Sequence, residues 1–302
     1  MGAARNLAIV RVGKRTLHKS WASEDRADSS WDLAVSTYEE VPEDLLAGAR
    51  YTHHVVGGKW SGIFEFFADN PELLDEYEYF WVPDDDITTA PGEVTRLFEL
   101  VREYGLELAQ PSLSLDSLHY HHITLNNDAF AMRRTNFVEL MVPVFHRDLL
   151  KKLLHMFEGN WAGLGLDMIW PKFTSDPKNS VGIIDNIIVS HHGPLGSFLY
   201  TKMRGAGIIP MVEYRKNAQR FNIKARVPFA HGGKRTDGST IDSRLTMLRE
   251  YIDSHIRNRQ RILHNPVTAA NVARLVFAYF DSFRDTVFIR PHPASVQMRT
   301  LI

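Results

Sequence analysis

Apolar positions come in short blocks along the chain, and their spacing predicts alternating strands and helices. The run LAIVRV at 7–12, closed by Gly13, predicts a buried strand ending in a loop. A second strand is expected at 33–35 within WDLAVSTY, and a third at 51–56, stopped by Gly57 and Gly58. Ile63, Phe64 and Phe67 stand at helical spacing within 60–68, and Pro71 closes that helix. YEYFWV at 77–82 is aromatic and β-prone and stops at Pro83. A helix is predicted over 91–104, with Pro91 early and Gly105 just past its end, then a short strand at 106–109.

Strands and helices therefore alternate through the first hundred residues. That rhythm predicts an α/β fold with a central, mainly parallel sheet. Further on, the pattern predicts a strand at 137–144, a helix at 148–157 and a buried strand at 181–189 (VGIIDNIIV). Residues 230–240 (AHGGKRTDGST) are polar and glycine-rich and read as a flexible linker. Two helical patterns follow, at about 241–264 and 266–283. The expected organisation is one catalytic unit over 1–230 and a helical C-terminal extension over 241–302.

Composition narrows the function classes. The 302 residues carry 35 Lys plus Arg against 36 Asp plus Glu, and a net charge of −1 gives no field for holding a nucleic-acid backbone. With 44% hydrophobic residues the chain can bury a core. Cysteine is absent, which removes disulfides, thiolate metal sites and cysteine nucleophiles. The opening MGAARNLAIVRV lacks a signal-like apolar region, and no apolar stretch is long enough to span a bilayer, so a cytoplasmic setting is expected.

The sharpest chemical feature is Asp84-Asp85-Asp86, directly after the YEYFWVP segment. In open α/β sheets ligands bind beyond the carboxyl ends of strands. Three adjacent carboxylates there repel one another and call for a cation, and oxygen ligands of this kind suit Mg²⁺ or Mn²⁺. In extended backbone i and i+2 point the same way, so Asp84 and Asp86 can converge on one ion. The residues also allow an acidic surface turn. They also fit D-x-D-x-T with Thr88, the signature of aspartate-nucleophile phosphatases, although no second acidic pair accompanies it.

YFWVPDDDI is followed in order by LELAQPSL, HHITL, TNFVELMVPVFHR, GLGLDMIWP and VGIIDNIIVSHHGPLG, with GGKW before it. From Lys59 to Gly196 this ordered set resembles an uncharacterised plant and bacterial family, whose plant members are labelled lysine-ketoglutarate-reductase trans-splicing-related proteins. That family in turn is similar to GT-A type glycosyltransferases. The resemblance implies a nucleotide-binding α/β sandwich and a D-x-D metal site. It implies Asp84 and Asp86 as ligands of Mn²⁺ or Mg²⁺, Asp85 on the ribose, and His191 as a third metal ligand with His192 as its fallback. Asp185, on the same strand, would orient the site.

The resemblance further implies Asp167 as the base that takes an acceptor hydroxyl proton, with helix capping as its alternative role. Glu139 is the rival base or sugar ligand, and Asn136 would share its pocket. Trp161 would stack on a sugar or pack in the core. Arg11 and Lys59 would contact the donor's base or phosphates. His119, His121 and His122 read as packing or acceptor-site residues. The implied partners are a nucleotide-diphosphate sugar and a glycan or polysaccharide acceptor. A non-catalytic sugar-nucleotide-binding module uses the same residues. The C-terminal third falls outside the resemblance. Its amphipathic stretch at 246–260 and its arginines leave a lid, an acceptor surface or a homo-oligomer interface open.

Overall fold

The computed structural model describes residues 6–22, 30–193, 203–223 and 227–264, together with 273 and 276. The first apolar run becomes β1 (Asn6–Val12), with all seven residues buried. It shows no inside–outside alternation because both faces of the sheet are covered there. Leu7 and Ile9 join a core with Trp60, Ile63, Phe66 and Phe67 of the helix Lys59–Asp69. Ala8, Val10 and Val12 face the other way, among Trp21, Trp31, Trp81, Leu97 and Phe98. Period two along the strand thus feeds two separate cores.

β1 pairs in parallel with β2 (Trp31–Thr37) on one side and β4 (Tyr79–Trp81) on the other, and β3 (Tyr51–His54) extends β2 in parallel. On the second face lies the helix Glu93–Glu103, which buries Val94, Leu97, Phe98 and Val101, the i, i+3, i+4, i+7 stripe of an amphipathic helix. The remaining sheet is built from β5 (Ile87–Thr88), β6 (Leu108–Leu113), β7 (Phe130–Thr135), β8 (Val144–His146), β9 (Val181–His191), β10 (Ala230–Arg235) and β11 (Thr240–Ile241). The order is β11-β10-β7-β9-β6-β8-β4-β1-β2-β3, with β5 pairing β9 off this path. The protein is a mixed α/β fold. Parallel pairing joins β3-β2-β1-β4 and β6-β9, and the other pairs run antiparallel.

Two sequence expectations are corrected. No strand runs through 137–144: the strands are β7 before it and β8 at its end. The backbone between them is engaged elsewhere. Glu139 N–H donates to the Gln110 side chain, the Leu140 and Met141 carbonyls accept from Lys59, and Met141 O also accepts from Asp84 N–H. A segment whose polar groups serve a site has none left for a ladder.

The expected linker at 230–240 is instead part of the sheet. β10 pairs antiparallel with β7 and turns through Gly238, at φ 87°, into β11. A Cβ on Gly232 or Gly233 would press on the backbone carbonyls of Ile241 and Met132, so these glycines serve close strand approach rather than looseness. The helix Arg244–Asn258 then starts on a Ser243 cap and buries Met247, Leu248 and Tyr251 against Phe130 and Ile183. The pattern at 266–283 lies outside the described residues, apart from 273 and 276. Among the described residues no helix is long and apolar enough to cross a membrane.

Candidate functional site

Gly13, Tyr38 and Asp84-Asp85-Asp86 follow β1, β2 and β4, so parallel pairing brings them to one rim of the sheet. The three aspartates then diverge. Asp85 turns toward the ends of β1 and β2, where its Oδ2 accepts from Gly13 N–H and Tyr38 Oη, each at 3.1 Å. Burial, with help from Asp86, raises its pKa to about 6.

Asp84 turns toward the helix Lys59–Asp69. Its Oδ1 lies 2.6 Å from Lys59 Nζ, which also donates to Leu140 O (2.8 Å) and Met141 O (3.2 Å). Lys59 is therefore a counter-ion under the aspartates, rather than the phosphate contact expected from GGKW. Burial pushes the Lys59 pKa down and the Asp84 pKa up, and the contact between them opposes both shifts.

Asp86 faces His191. β5 pairs antiparallel with the end of β9, in a register that puts Ile87 opposite His191. His191 Nε2 is 3.3 Å from Asp86 Oδ2, and ligand atoms of Asp84, Asp86 and His191 all lie within 4.8 Å of one another. Behind the ring, Nδ1 sits 2.7 Å from the Leu118 carbonyl, and the His191 N–H donates to Ser117 Oγ. Fixing one ring nitrogen on a carbonyl leaves the other to face a ligand. Against its burial, the Asp86 contact raises His191 to about 9, and the same contact holds Asp86 below the usual carboxylate range. Asp86 Oδ1 is buried without a partner. Two carboxylates, one of them with an unsatisfied oxygen, and one imidazole form a donor set suited to Mn²⁺ or Mg²⁺. His192 points elsewhere, with Nε2 2.7 Å from Thr88 Oγ1.

Glu139 is buried within electrostatic reach of His191 and Asp84, and Asp167 is buried within reach of Glu139. Asp167 is the middle residue of the short turn Leu166–Met168, which follows Gly165 at φ 89°. Burial raises its pKa to about 7, opposed by hydrogen bonds from the backbone N–H groups of Met168 and of Asp167 itself; the cap position of this turn is Gly165, so Asp167 does not fill the capping role. Glu139 is raised to about 8, first by burial and then by the Asp167 charge. One of its oxygens, Oε2, is buried without a partner. The glycines of GLGLDMIW shape this turn against protein rather than ligand: Gly163 abuts the Trp60 ring and Gly165 abuts Tyr214.

The other expected residues take different places. Arg11 donates to Ser36 Oγ, Thr37 O, Val55 O and Gly57 O, which ties the ends of β1, β2 and β3 together. Asn136 is bonded to the backbone at Val227 and Phe229. Trp161 is half-buried, and its backbone N–H donates to Glu213. Asp185 is held by Arg133 in a bidentate buried pair at 2.7 and 2.8 Å. His119, His121 and His122 pack in edge-on contacts with one another, Phe137 and His255. Sequence reasoning missed Tyr38, Arg133, Glu213 and the Leu118 carbonyl. Each acts across a long loop, and only the glycines before Lys59 hinted at anything of this kind.

A protein family described as "Protein of unknown function (DUF707)" matches residues 58–136. No curated protein matches the sequence. The fold is similar to GalNAc-T7 solved with UDP, GalNAc and Mn²⁺, at 8% identity and a TM-score of 0.44, covering 74% of this chain and 55% of that one. The chain thus spans about half the length of that relative. It is also similar to S. aureus TarS 1–349, at 10% identity and a TM-score of 0.45, covering 86% and 81%. A third likeness is to glucosyl-3-phosphoglycerate synthase from Mycobacterium tuberculosis in complex with Mn²⁺, UDP-glucose and phosphoglyceric acid. There the identity is 13% and the TM-score 0.42, covering 68% and 81%.

Proposed function

We propose that this protein transfers a sugar from a nucleotide-diphosphate donor to a hydroxyl of a glycan or polysaccharide precursor, using Mn²⁺ or Mg²⁺. One observation carries the reading: Asp84, Asp86 and His191 converge within 4.8 Å at the strand-end rim. The ordered motifs from GGKW to VGIIDNIIVSHHGPLG, similar to those of a GT-A-like family, supply the donor class.

A divalent cation held by these three residues supplies positive charge where the departing diphosphate becomes more negative. Lys59 favours the ionised form of Asp84 against the effect of its burial. Asp85, anchored by Gly13 and Tyr38, stands at the ends of β1 and β2, the edge a nucleoside would lie along. Asp167, with a pKa of about 7, is poised to accept the acceptor hydroxyl proton near neutral pH. Glu139, with a pKa of about 8, stays protonated there and has an O–H to offer a sugar oxygen.

The test is a release-and-transfer assay. The protein is incubated with UDP- and GDP-sugars and Mn²⁺ over a panel of glycan acceptors. Asp86→Ala should lose both Mn²⁺-dependent nucleotide binding and turnover, whereas Asp167→Asn should keep binding and lose turnover. Binding without any turnover would leave a sugar-nucleotide-binding module. Phosphate release from an aryl phosphate, lost in Asp84→Asn, would replace the reading with phosphatase chemistry.

A further inference from the structure

The helix Pro210–Arg220 is fastened to the body by its polar side. Glu213 is buried, and its carboxylate accepts from the backbone N–H groups of Trp161 (2.7 Å), Ala162 (3.0 Å) and Gly163 (2.8 Å). One turn on, Asn217 Nδ2 donates to Asn160 Oδ1 (2.7 Å) and Leu164 O (3.1 Å). Positions i and i+4 share a helix face, so these two anchors define the inward side.

The outward side has an opposite character. Ile209, Met211 and Val212 are 60%, 55% and 54% exposed at the start of the helix. Arg215, Lys216 and Arg220 are exposed beyond them. Met211 and Arg215 are one turn apart, as are Val212 and Lys216, so these apolar and cationic positions are neighbours on one side of the helix. The helix's one acidic residue, Glu213, is turned inward. The outward face therefore carries two cations, Arg215 and Lys216, and no anion, while Arg220 at the helix end lies over the Phe221 ring, on a chain whose net charge is −1.

An apolar tip on a cationic shaft matches an anionic lipid surface. Apolar side chains enter the boundary between headgroups and acyl chains while Lys and Arg meet lipid phosphates. A soluble polyanion would use the cations and leave three apolar side chains in water. We propose that this helix docks the protein on an anionic membrane surface, with Ile209, Met211 and Val212 inserted and Arg215 and Lys216 paired with lipid phosphates. The docking is a property of the helix face and holds whatever reaction the aspartate site performs. Because Glu213 fastens the helix to 161–163, docking would set the turn bearing Asp167 beside the lipid surface.

The experiment is co-sedimentation of the full chain with phosphatidylcholine vesicles and with vesicles that also contain phosphatidylglycerol. Binding is expected to the anionic vesicles alone and to weaken as salt is raised. Arg215→Gln/Lys216→Gln should bind about thirtyfold more weakly, from the loss of two cations near the surface. Met211→Ser/Val212→Ser should also lose binding, while Arg249→Gln, on a different exposed helix, should not. Thermal melts confirm that the variants are folded. Equal binding to neutral vesicles, no binding, or unaffected helix variants would overturn the proposal. Displacement by inorganic phosphate would point to a free-anion site instead. Self-association in the absence of vesicles, abolished by Met211→Ser/Val212→Ser, would make this face a contact between two copies of the chain.

Discussion

His191 Nε2 lies 3.3 Å from Asp86 Oδ2, while Nδ1 of the same ring is held 2.7 Å from the Leu118 carbonyl. A carbonyl only accepts, so Nδ1 carries a proton and Nε2 is the atom left to meet a cation. Asp86 raises the imidazole pKa to about 9, so below that pH a metal must displace the Nε2 proton. Mn²⁺ affinity measured by calorimetry should therefore rise about tenfold per pH unit up to that value. At a free Mn²⁺ concentration of about 100 times Kd the protein should gain about 2.7 kcal/mol of stability. Asp86→Ala and His191→Ala should gain almost none. A pH-independent affinity would remove His191 from the ligand set.

Lys59 is a built-in counter-ion for Asp84, and its loss strands that carboxylate. Removing one partner of a buried pair costs about 3–5 kcal/mol. Asp84 is about a third exposed, so Lys59→Met should cost less, roughly 2 kcal/mol in denaturant melts. Added Mn²⁺ should stabilise Lys59→Met more than the unaltered protein, because the ion takes over the neutralising role. Equal metal stabilisation of the two proteins would separate Lys59 from the site.

Glu139 and Asp167 are both raised, to about 8 and about 7, chiefly by burial. A raised carboxyl keeps a proton in the folded chain that the unfolded chain releases. The associated stability is intact below about pH 4 and is lost as pH rises through about 7 and then about 8. Glu139→Gln and Asp167→Asn lack this loss. With chelator present, each variant should gain on the unaltered protein between pH 5 and pH 9. The gain should be several kcal/mol for Glu139→Gln, at roughly 1.4 kcal/mol for each pH unit separating its folded and unfolded pKa. Parallel pH profiles of stability would place both carboxyls in water.

A Cβ on Gly193 would collide with Asp86 Oδ2. Gly193→Ala should therefore push Asp86 off the His191 line and weaken Mn²⁺ binding at least tenfold by calorimetry. Gly193 is half-buried at the rim rather than in a core, so the melting temperature without metal should change little. Unchanged Mn²⁺ affinity would show that the Asp86 position is not critical.

Asp185 and Arg133 form a buried bidentate pair, and Arg133 also donates to Ile123 O and Leu125 O. Breaking such a pair leaves an unpaired buried charge, so Arg133→Met should destabilise by about 3–5 kcal/mol in denaturant melts. A loss below about 1 kcal/mol would mean that water reaches the pair.

The acidic part of the Asp84, Asp86 and His191 cluster was legible for physical reasons that act locally. Three adjacent carboxylates after an apolar strand need a cation, and β-strand ends are where sheets present ligands. His191 was legible only through its motif, since a histidine pair after a strand carries no partner in its own spacing. Lys59 stands out in the sequence, but its partner does not. Nothing in GGKW says that its ammonium meets Asp84 and two carbonyls 81 and 82 residues away. Residues 137–144 mislead because Phe137, Val138, Leu140 and Met141 are apolar enough for a strand. Their backbone groups are claimed by Asp84, Lys59 and Gln110. The glycines of AHGGKRTDGST mislead in the opposite direction, since close approach of strands and loop flexibility ask for the same residue.

By itself the sequence determined the alternation of strands and helices, the apolar faces of the helices Lys59–Asp69 and Glu93–Glu103, and the acidic triplet at a strand end. Those features depend on hydrophobic periodicity and on charge within a few residues. Only the tertiary structure decided that Asp84 would meet Lys59, that Asp85 would meet Tyr38, and that Asp86 would meet His191. Each of these contacts joins segments that are distant in the chain through strand pairing. Such pairing is fixed by the packing of whole faces, and no short window of residues contains it.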